Sequence, residues 1–338
     1  MKTPIASSDY HTAGEPFRIV ESIPFEFEGD TVAERRANAM RGGDIDWLRQ
    51  VLCLEPRGHA DMYGGFITPP DDDGADFGVL FWHKDGFSTA CGHGTIALGV
   101  WALQRGLVAP DPSGSTDVTV DVPSGRVTAR VHTEGERVTA VDFINVPSYV
   151  LATDVPLATS RGEVSVDVSF GGAAYAQVDA ATLGLEVAPE NVTELIAIGR
   201  EIKWALNDSE HARHPSDDRL SGIYGTIIHE RLPPGADGEV RYRNITVFAD
   251  GQVDRSPTGS GTAARVATLV ASGELGDGGT FVNESVVGSA FTARIAERLE
   301  VEGRAAVVAE VRGTAYKTGE HRFEVDPHDP LVPGFVLR

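Results

Sequence analysis

Cysteine is nearly absent from this sequence. Cys53 and Cys91 are the only two in 338 residues, too few for a disulfide scaffold and in keeping with a reducing compartment. Basic charge is scarce as well: 29 Lys and Arg stand against 50 Asp and Glu, giving a formal net charge of -21. Nucleic acid and anionic membranes need clustered cations to neutralise phosphate, and no long basic run exists here, so neither is an expected partner. No apolar stretch approaches the roughly 20 residues of a spanning helix. The opening MKTPIASSDYHTAGEP has one early lysine but no apolar core of signal-peptide length, and the expectation is a cytoplasmic protein.

What is present is globular composition, with 41% hydrophobic and 23% charged residues. The length suits two lobes of roughly 150 residues each better than one core. Self-similarity supports that division, because two halves run through the same succession of patterns. HTAGEPFRIVE, with Phe17, Val20 and Glu21, is echoed by FGGAAYAQVDA, with Tyr175, Val178 and Asp179. A helical pattern over residues 31 to 48, interrupted at Gly42 and Gly43, is matched by one over 191 to 206, where Leu195, Ile198, Ile202 and Leu206 share a face. DMYGGFIT is echoed by GIYGTIIH, FGVLFWHKDG by RNITVFADGQ, and VTARV by FTARI.

The closest match is gapless. FSTACGHGTIALGVWALQRGLV, from Phe87, aligns with DRSPTGSGTAARVATLVASGEL, from Asp254, setting Cys91 against Thr258, Gly92 against Gly259, Gly94 against Gly261 and Thr95 against Thr262. Each reads as a Gly-rich turn opening a helix that ends near Gly106 or Gly273. The first helix is apolar nearly all round, which is how a helix wrapped by other elements looks. The expected fold is α+β: two pseudo-repeated lobes, each a curled β-sheet around a central helix, the first over residues 1–155 with 320–338 returning to it, the second over 156–319. A pocket between the matching turns is the expected site.

The turns suit a particular chemistry. A helix N-terminus offers unpaired N–H groups and the positive end of the dipole, and glycines let a ligand approach that backbone closely. Amides from two such turns, at Gly92 and Gly259, could hold one amino-acid carboxylate with the α-carbon between residues 91 and 258. A helix N-terminus also lowers a thiol from its usual pKa of about 8.5, which suits Cys91 to act as a base.

ACGHGTIA around Cys91, DRSPTGSGTAA around Thr258, EPRGHADMYGG and HTAGEP together resemble the motifs of the proline racemase family, over essentially the whole chain. The resemblance implies a diaminopimelate epimerase-like fold, an active site between the lobes, no cofactor and a homodimer. Family racemases and epimerases carry a second Cys where this chain has Thr258, so two-base inversion is expected to fail. A Cys paired with a Thr resembles the members that dehydrate trans-3-hydroxy-L-proline. There the 3-hydroxyl lies on the same ring face as the α-hydrogen, so elimination would be syn: Cys91 takes the proton, His93 or the newly protonated Cys91 assists the departing hydroxyl, and the enamine tautomerises to Δ1-pyrroline-2-carboxylate. Asp254 resembles the residue that binds the ring nitrogen, and Gly259 and Ser260 match the carboxylate-binding amides.

Plainer readings stand beside these. Cys53, in WLRQVLCLE, reads as an inert core residue. His93 could cap the helix, yet Cys-x-His without further ligands is a poor zinc signal, and no metal is expected. Asp254 could be a simple helix N-terminal charge. His229 ends a strand and could face the pocket or only pack. No Gly-Lys-Ser/Thr follows the second turn, which speaks against a nucleotide, and Arg57, His59 and Asp61 read as fold-holding. The competing functions are 4-hydroxyproline 2-epimerase or proline racemase activity, and a catalytically silent amino-acid-binding protein.

Overall fold

The computed structural model describes residues 4–337. The chain divides into two compact units, one running to Val141 and resuming at Thr314, the other spanning Asp142–Gly313.

In the first unit, strands Ile5–Thr12 and Glu15–Val20 form a hairpin whose two-residue turn places Ala13 and Gly14 at positive φ (51° and 97°). Ala315–Phe323 pairs antiparallel with the outer side of Ile5–Thr12. On the other side Glu15–Val20 runs parallel to Tyr63–Thr68, which is antiparallel to Phe77–His83, which runs parallel to Ser115–Val122 and so to the hairpin partner Gly125–Glu134. The connection between the first parallel pair carries helices α1 (Val32–Ala39) and α2 (Asp44–Cys53). They are separate helices. Gly42 and Gly43, at φ 91° and 99°, break the pattern, and α2 runs past the expected end at residue 48 because Val51, Leu52 and Cys53 continue its buried face. Thr31 starts α1 with a capping box to Glu34.

Helix α3 (Gly92–Gln104) is the centre of this unit. Strands from both ends of the sheet touch it, and every residue from Gly92 to Ala102 is buried. That is the physical reason for its all-round apolar sequence: the curled sheet leaves no face for water. Trp101 packs edge-on against Phe77 at 5.5 Å, and Gly99 permits a close pass, since a Cβ there would lie 2.7 Å from Ala129 Cβ.

The second unit repeats the plan. Ala174–Asp179 runs parallel to Ile223–Arg231, and Val240–Phe248 parallel to Phe281–Ser285. These correspond to the two parallel pairs of the first unit. Helix α4 (Val192–Asn207) lies in the first crossover and buries Leu195, Ile198, Ile202 and Leu206, the face expected from the sequence. Here the sheet closes on itself, because Arg304–Gly313 pairs both with Ala290–Val301 and with Ser148–Thr159. Helix α5 (Gly259–Ala271) fills the ring.

Both inner helices stop in the same way. Gly106 (φ 70°) and Gly273 (φ 77°) adopt the left-handed conformation that only glycine takes cheaply. Their amides and those of Leu107 and Glu274 return to carbonyls of the last turn: Gly106 to Leu103, Leu107 to Ala102, Gly273 to Val270, and Glu274 to Leu269.

Candidate active site

In the first unit Cys91 is the N-cap of α3, with extended backbone (φ -154°, ψ 101°) and its Sγ accepting the Gly94 amide at 3.2 Å. A thiolate in that place receives a backbone N–H and the positive helix end together. The sulfur also lies 3.5 Å from both ring nitrogens of His93. Imidazole N–H bonds diverge, so an atom equidistant from both meets neither head-on, and this contact is a proximity rather than a formed proton-transfer bond.

His93 is 3% exposed and is set by its surroundings. Its ring meets Phe17 edge-on at 5.9 Å and Tyr63 edge-on at 5.0 Å, and Thr12 donates to its carbonyl at 2.8 Å. The HTAGEP motif therefore has a physical role, because its Thr12 holds the first turn of α3. Tyr63 shares a very short hydrogen bond with Ser88. None of Phe17, Tyr63 or Ser88 stands out in the sequence as a site residue; the signal that could have found them is the echo of YGG and the aromatic at position 17 in both halves.

In the second unit Thr258 is the N-cap of α5, at φ 66° and ψ 104°, and its side chain makes no capping bond. Positive φ in a β-branched residue costs on the order of 1–3 kcal/mol and persists only where neighbours impose it. The neighbours are identifiable. The Thr258 amide donates to Ser256 Oγ at 3.0 Å, and the Ser256 hydroxyl and amide donate to Asp254 Oδ1 at 2.7 and 2.8 Å. The Thr258 hydroxyl donates to Thr246 Oγ1 at 2.8 Å. The Pro257 carbonyl is held by Asn244 and Asn283, each at 3.1 Å. Asp254 is 3% exposed at the end of strand Gln252–Asp254.

Gly92 and Gly259 are the first residues of their helices and are buried. Ser260, the counterpart of His93, shares a 2.7 Å hydrogen bond with Tyr175, the counterpart of Phe17, so the same pair of positions is bridged in each unit by different chemistry. His229 is on strand Ile223–Arg231, alongside α5. Its Nε2 is 3.3 Å from Arg265 Nη1, and Tyr242 packs edge-on at 5.4 Å. Burial and the Arg265 guanidinium hold its pKa well below the ordinary histidine value, so Nε2 accepts and the proton sits on Nδ1. That Nδ1 is buried and has no hydrogen-bond partner among the described residues. Cys53 is fully buried, its thiol directed to the Met62 carbonyl at 3.4 Å and pushed up to about 12 by burial. Among the described residues no cluster of three His, Cys, Asp or Glu could hold a metal, and no helix is long and apolar enough to cross a membrane.

A family model described as proline racemase matches residues 8–336. A trans-3-hydroxy-L-proline dehydratase of Bacillus thuringiensis subsp. konkukian is 44% identical over 329 residues, covering 97% of each chain. A 3-hydroxyproline 2-epimerase of Burkholderia multivorans is also 44% identical, over 335 residues that cover 99% of this chain and 98% of its own. Among solved structures, a hydroxyproline epimerase from Agrobacterium vitis with bound trans-4-hydroxy-L-proline matches with a TM-score of 0.91 at 30% identity, covering 99% of this chain and 96% of that one.

Proposed function

The chain belongs to the proline racemase family, and from that premise we propose that it dehydrates trans-3-hydroxy-L-proline to Δ1-pyrroline-2-carboxylate. A dehydratase and an epimerase share the same identity with it, so overall likeness does not separate the two activities. Residue 258 carries the choice. Inversion at the α-carbon needs a second group that delivers a proton to the opposite face, and the counterpart of Cys91 is a threonine, a far weaker acid than a thiol of pKa about 8.5, whose hydroxyl is already engaged with Thr246.

On this reading Cys91, as thiolate, removes the α-proton. The electron pair of the C–H bond forms the C2–C3 double bond, the C3–O bond breaks, and the hydroxyl leaves as water with a proton from the Cys91–His93 pair. The resulting enamine tautomerises to the pyrroline. Backbone amides at Gly92, Gly259 and Ser260 stabilise the substrate carboxylate and the charge that develops on it. Asp254 takes the ring ammonium, and the Nδ1–H of His229 is an available donor. Thr258 contributes by being inert.

Two free cysteines suit a reducing compartment, and we read the working form as a cytoplasmic homodimer. Light scattering that returned the mass of one chain would remove the dimer. The test of the function is turnover of trans-3-hydroxy-L-proline beside cis- and trans-4-hydroxyproline and L-proline, without added cofactor. Pyrroline formation from the first alone is the expected result; inversion of a 4-hydroxyproline at a comparable rate overturns the assignment. Cys91→Ser should abolish dehydration, and near-normal turnover would exclude Cys91 as the base.

A further inference from the structure

Residue 258 differs from its counterpart in more than its side chain. Cys91 caps α3 from extended backbone and lays its sulfur over the helix end. Thr258 begins α5 from the left-handed region. Its amide is tied to Ser256 and its hydroxyl to Thr246, on a strand whose register sets Thr246 opposite Asp254. The methyl is left where the sulfur sits in the other unit: a Cβ on Gly261 would lie 2.9 Å from Thr258 Cγ2, and one on Gly94 would lie 2.7 Å from Cys91 Sγ. Thr246 is 1% exposed, so water does not compete for the bond.

We propose that Thr246 is a positioning residue that sets reaction specificity, by holding the Thr258 hydroxyl away from the α5 N-terminus so that no O–H can return a proton to the reacting carbon. This rests on the dehydratase reading, in which residue 258 attends the second face of the α-carbon. Once Cys91 has taken the proton, the electron pair at C2 has two outlets. It can form the C2–C3 double bond as the 3-hydroxyl leaves, or it can capture a proton on the opposite face and give the C2 epimer. An alcohol is a poor base but a competent donor to a carbon base. The Thr258 alkoxide formed in that way takes up a proton from solvent as the epimer leaves, and Cys91 gives up the one it removed, which returns both groups to their starting states. Tethering to Thr246 closes the second outlet.

The test is the ratio of C2 epimer, carrying deuterium at C2 in heavy water, to pyrroline product. Thr246→Val keeps shape and removes the acceptor, and should raise that ratio by about tenfold or more over the parent enzyme. Thr246→Ser keeps a hydroxyl and should stay near the parent. In Thr246→Val/Thr258→Val no hydroxyl remains to be released, and the ratio should fall back. A Thr246→Val ratio equal to the parent's, or a raised ratio that persists in the double variant, overturns the role of Thr246. Should the Val variant not fold, Thr246→Ala is read the same way. A parent enzyme that forms no pyrroline overturns the dehydratase reading itself, whereas a parent that does, beside an unchanged variant ratio, overturns only this inference.

Discussion

Substituting Gly94 by Ala puts one methyl into the tightest part of the first helix start. A Cβ there would stand 2.5 Å from Phe17 Cε2, 2.7 Å from Cys91 Sγ and 2.9 Å from Phe17 Cζ. Something must move. Phe17 is fully buried and braced by Tyr63, Phe81 and His93, with ring centroids at 6.3, 6.0 and 5.9 Å, so the first turn of α3 must back away from the ring, and the sulfur, pressed by the same methyl, leaves the Gly94 amide. Overpacking of this kind costs about 1–3 kcal/mol, and replacing Gly by Ala in a helix returns about 1 kcal/mol. The net loss of roughly 0–2 kcal/mol lowers Tm by at most about 8 °C in a unit of this size. Activity should suffer more, because a reacting atom displaced by about 1 Å costs on the order of 100-fold. The assay is kcat/KM for trans-3-hydroxy-L-proline beside thermal unfolding of the same preparation. A folded Gly94→Ala enzyme within about threefold of the parent's kcat/KM would refute the claim that the Sγ position is set by the bare N-terminus of α3.

Three further outcomes are expected. Alkylation of the native protein, followed by mass spectrometry, should be faster at Cys91, 4% exposed at the start of α3, than at Cys53, which is fully buried and kept protonated by that burial; equal rates at both would contradict the buried position of Cys53. Arg18 holds Asp9 through Nε and Nη2 and donates to the Leu52 and Arg57 carbonyls at 2.7 Å each, so Arg18→Met, which leaves the buried Asp9 carboxylate only Ser7 and His321, should cost about 3 kcal/mol in urea unfolding, the low end for breaking a buried pair, and a loss under 1 kcal/mol would count against that network. Burial lowers His83 to about 3, below its unfolded value of about 6.5. The unfolded chain therefore binds the extra proton first, and stability is complete above pH 6.5 and falls as pH drops toward 3, by about 2 kcal/mol at pH 5 from this residue. His83→Gln should flatten that part of the stability profile, and an unchanged slope would rule His83 out as its source.

The duplicated plan was legible because both inner helices announce themselves twice, by a Gly-rich start and by a glycine just past the end, and because burial on all sides forces an apolar sequence on α3. Cys91 as an N-cap followed from the same pattern. The backbone of Thr258 did not. Its left-handed φ is imposed by Ser256 and Thr246, contacts that depend on the register of one strand pair, and no local preference of threonine hints at it. Phe17, Tyr63 and Ser88 escaped for a related reason: each reads as ordinary strand or turn sequence, and only the curl of the sheet brings them against His93 and one another. Helix α2 runs past its expected end because Val51, Leu52 and Cys53 carry its buried face on to the last turn.

The pairing of Ala315–Phe323 with Ile5–Thr12 has a consequence for biosynthesis. The hairpin at the start of the chain emerges from the ribosome with one edge open, and the strand that covers it is made some three hundred residues later. In the interval the segment Asp142–Gly313 is fully synthesised and can close its ring. The order of maturation then runs against the order of translation, with the earliest-made unit the last to be sealed, and its uncovered edge strand is the part of the nascent protein that most needs shielding from other chains.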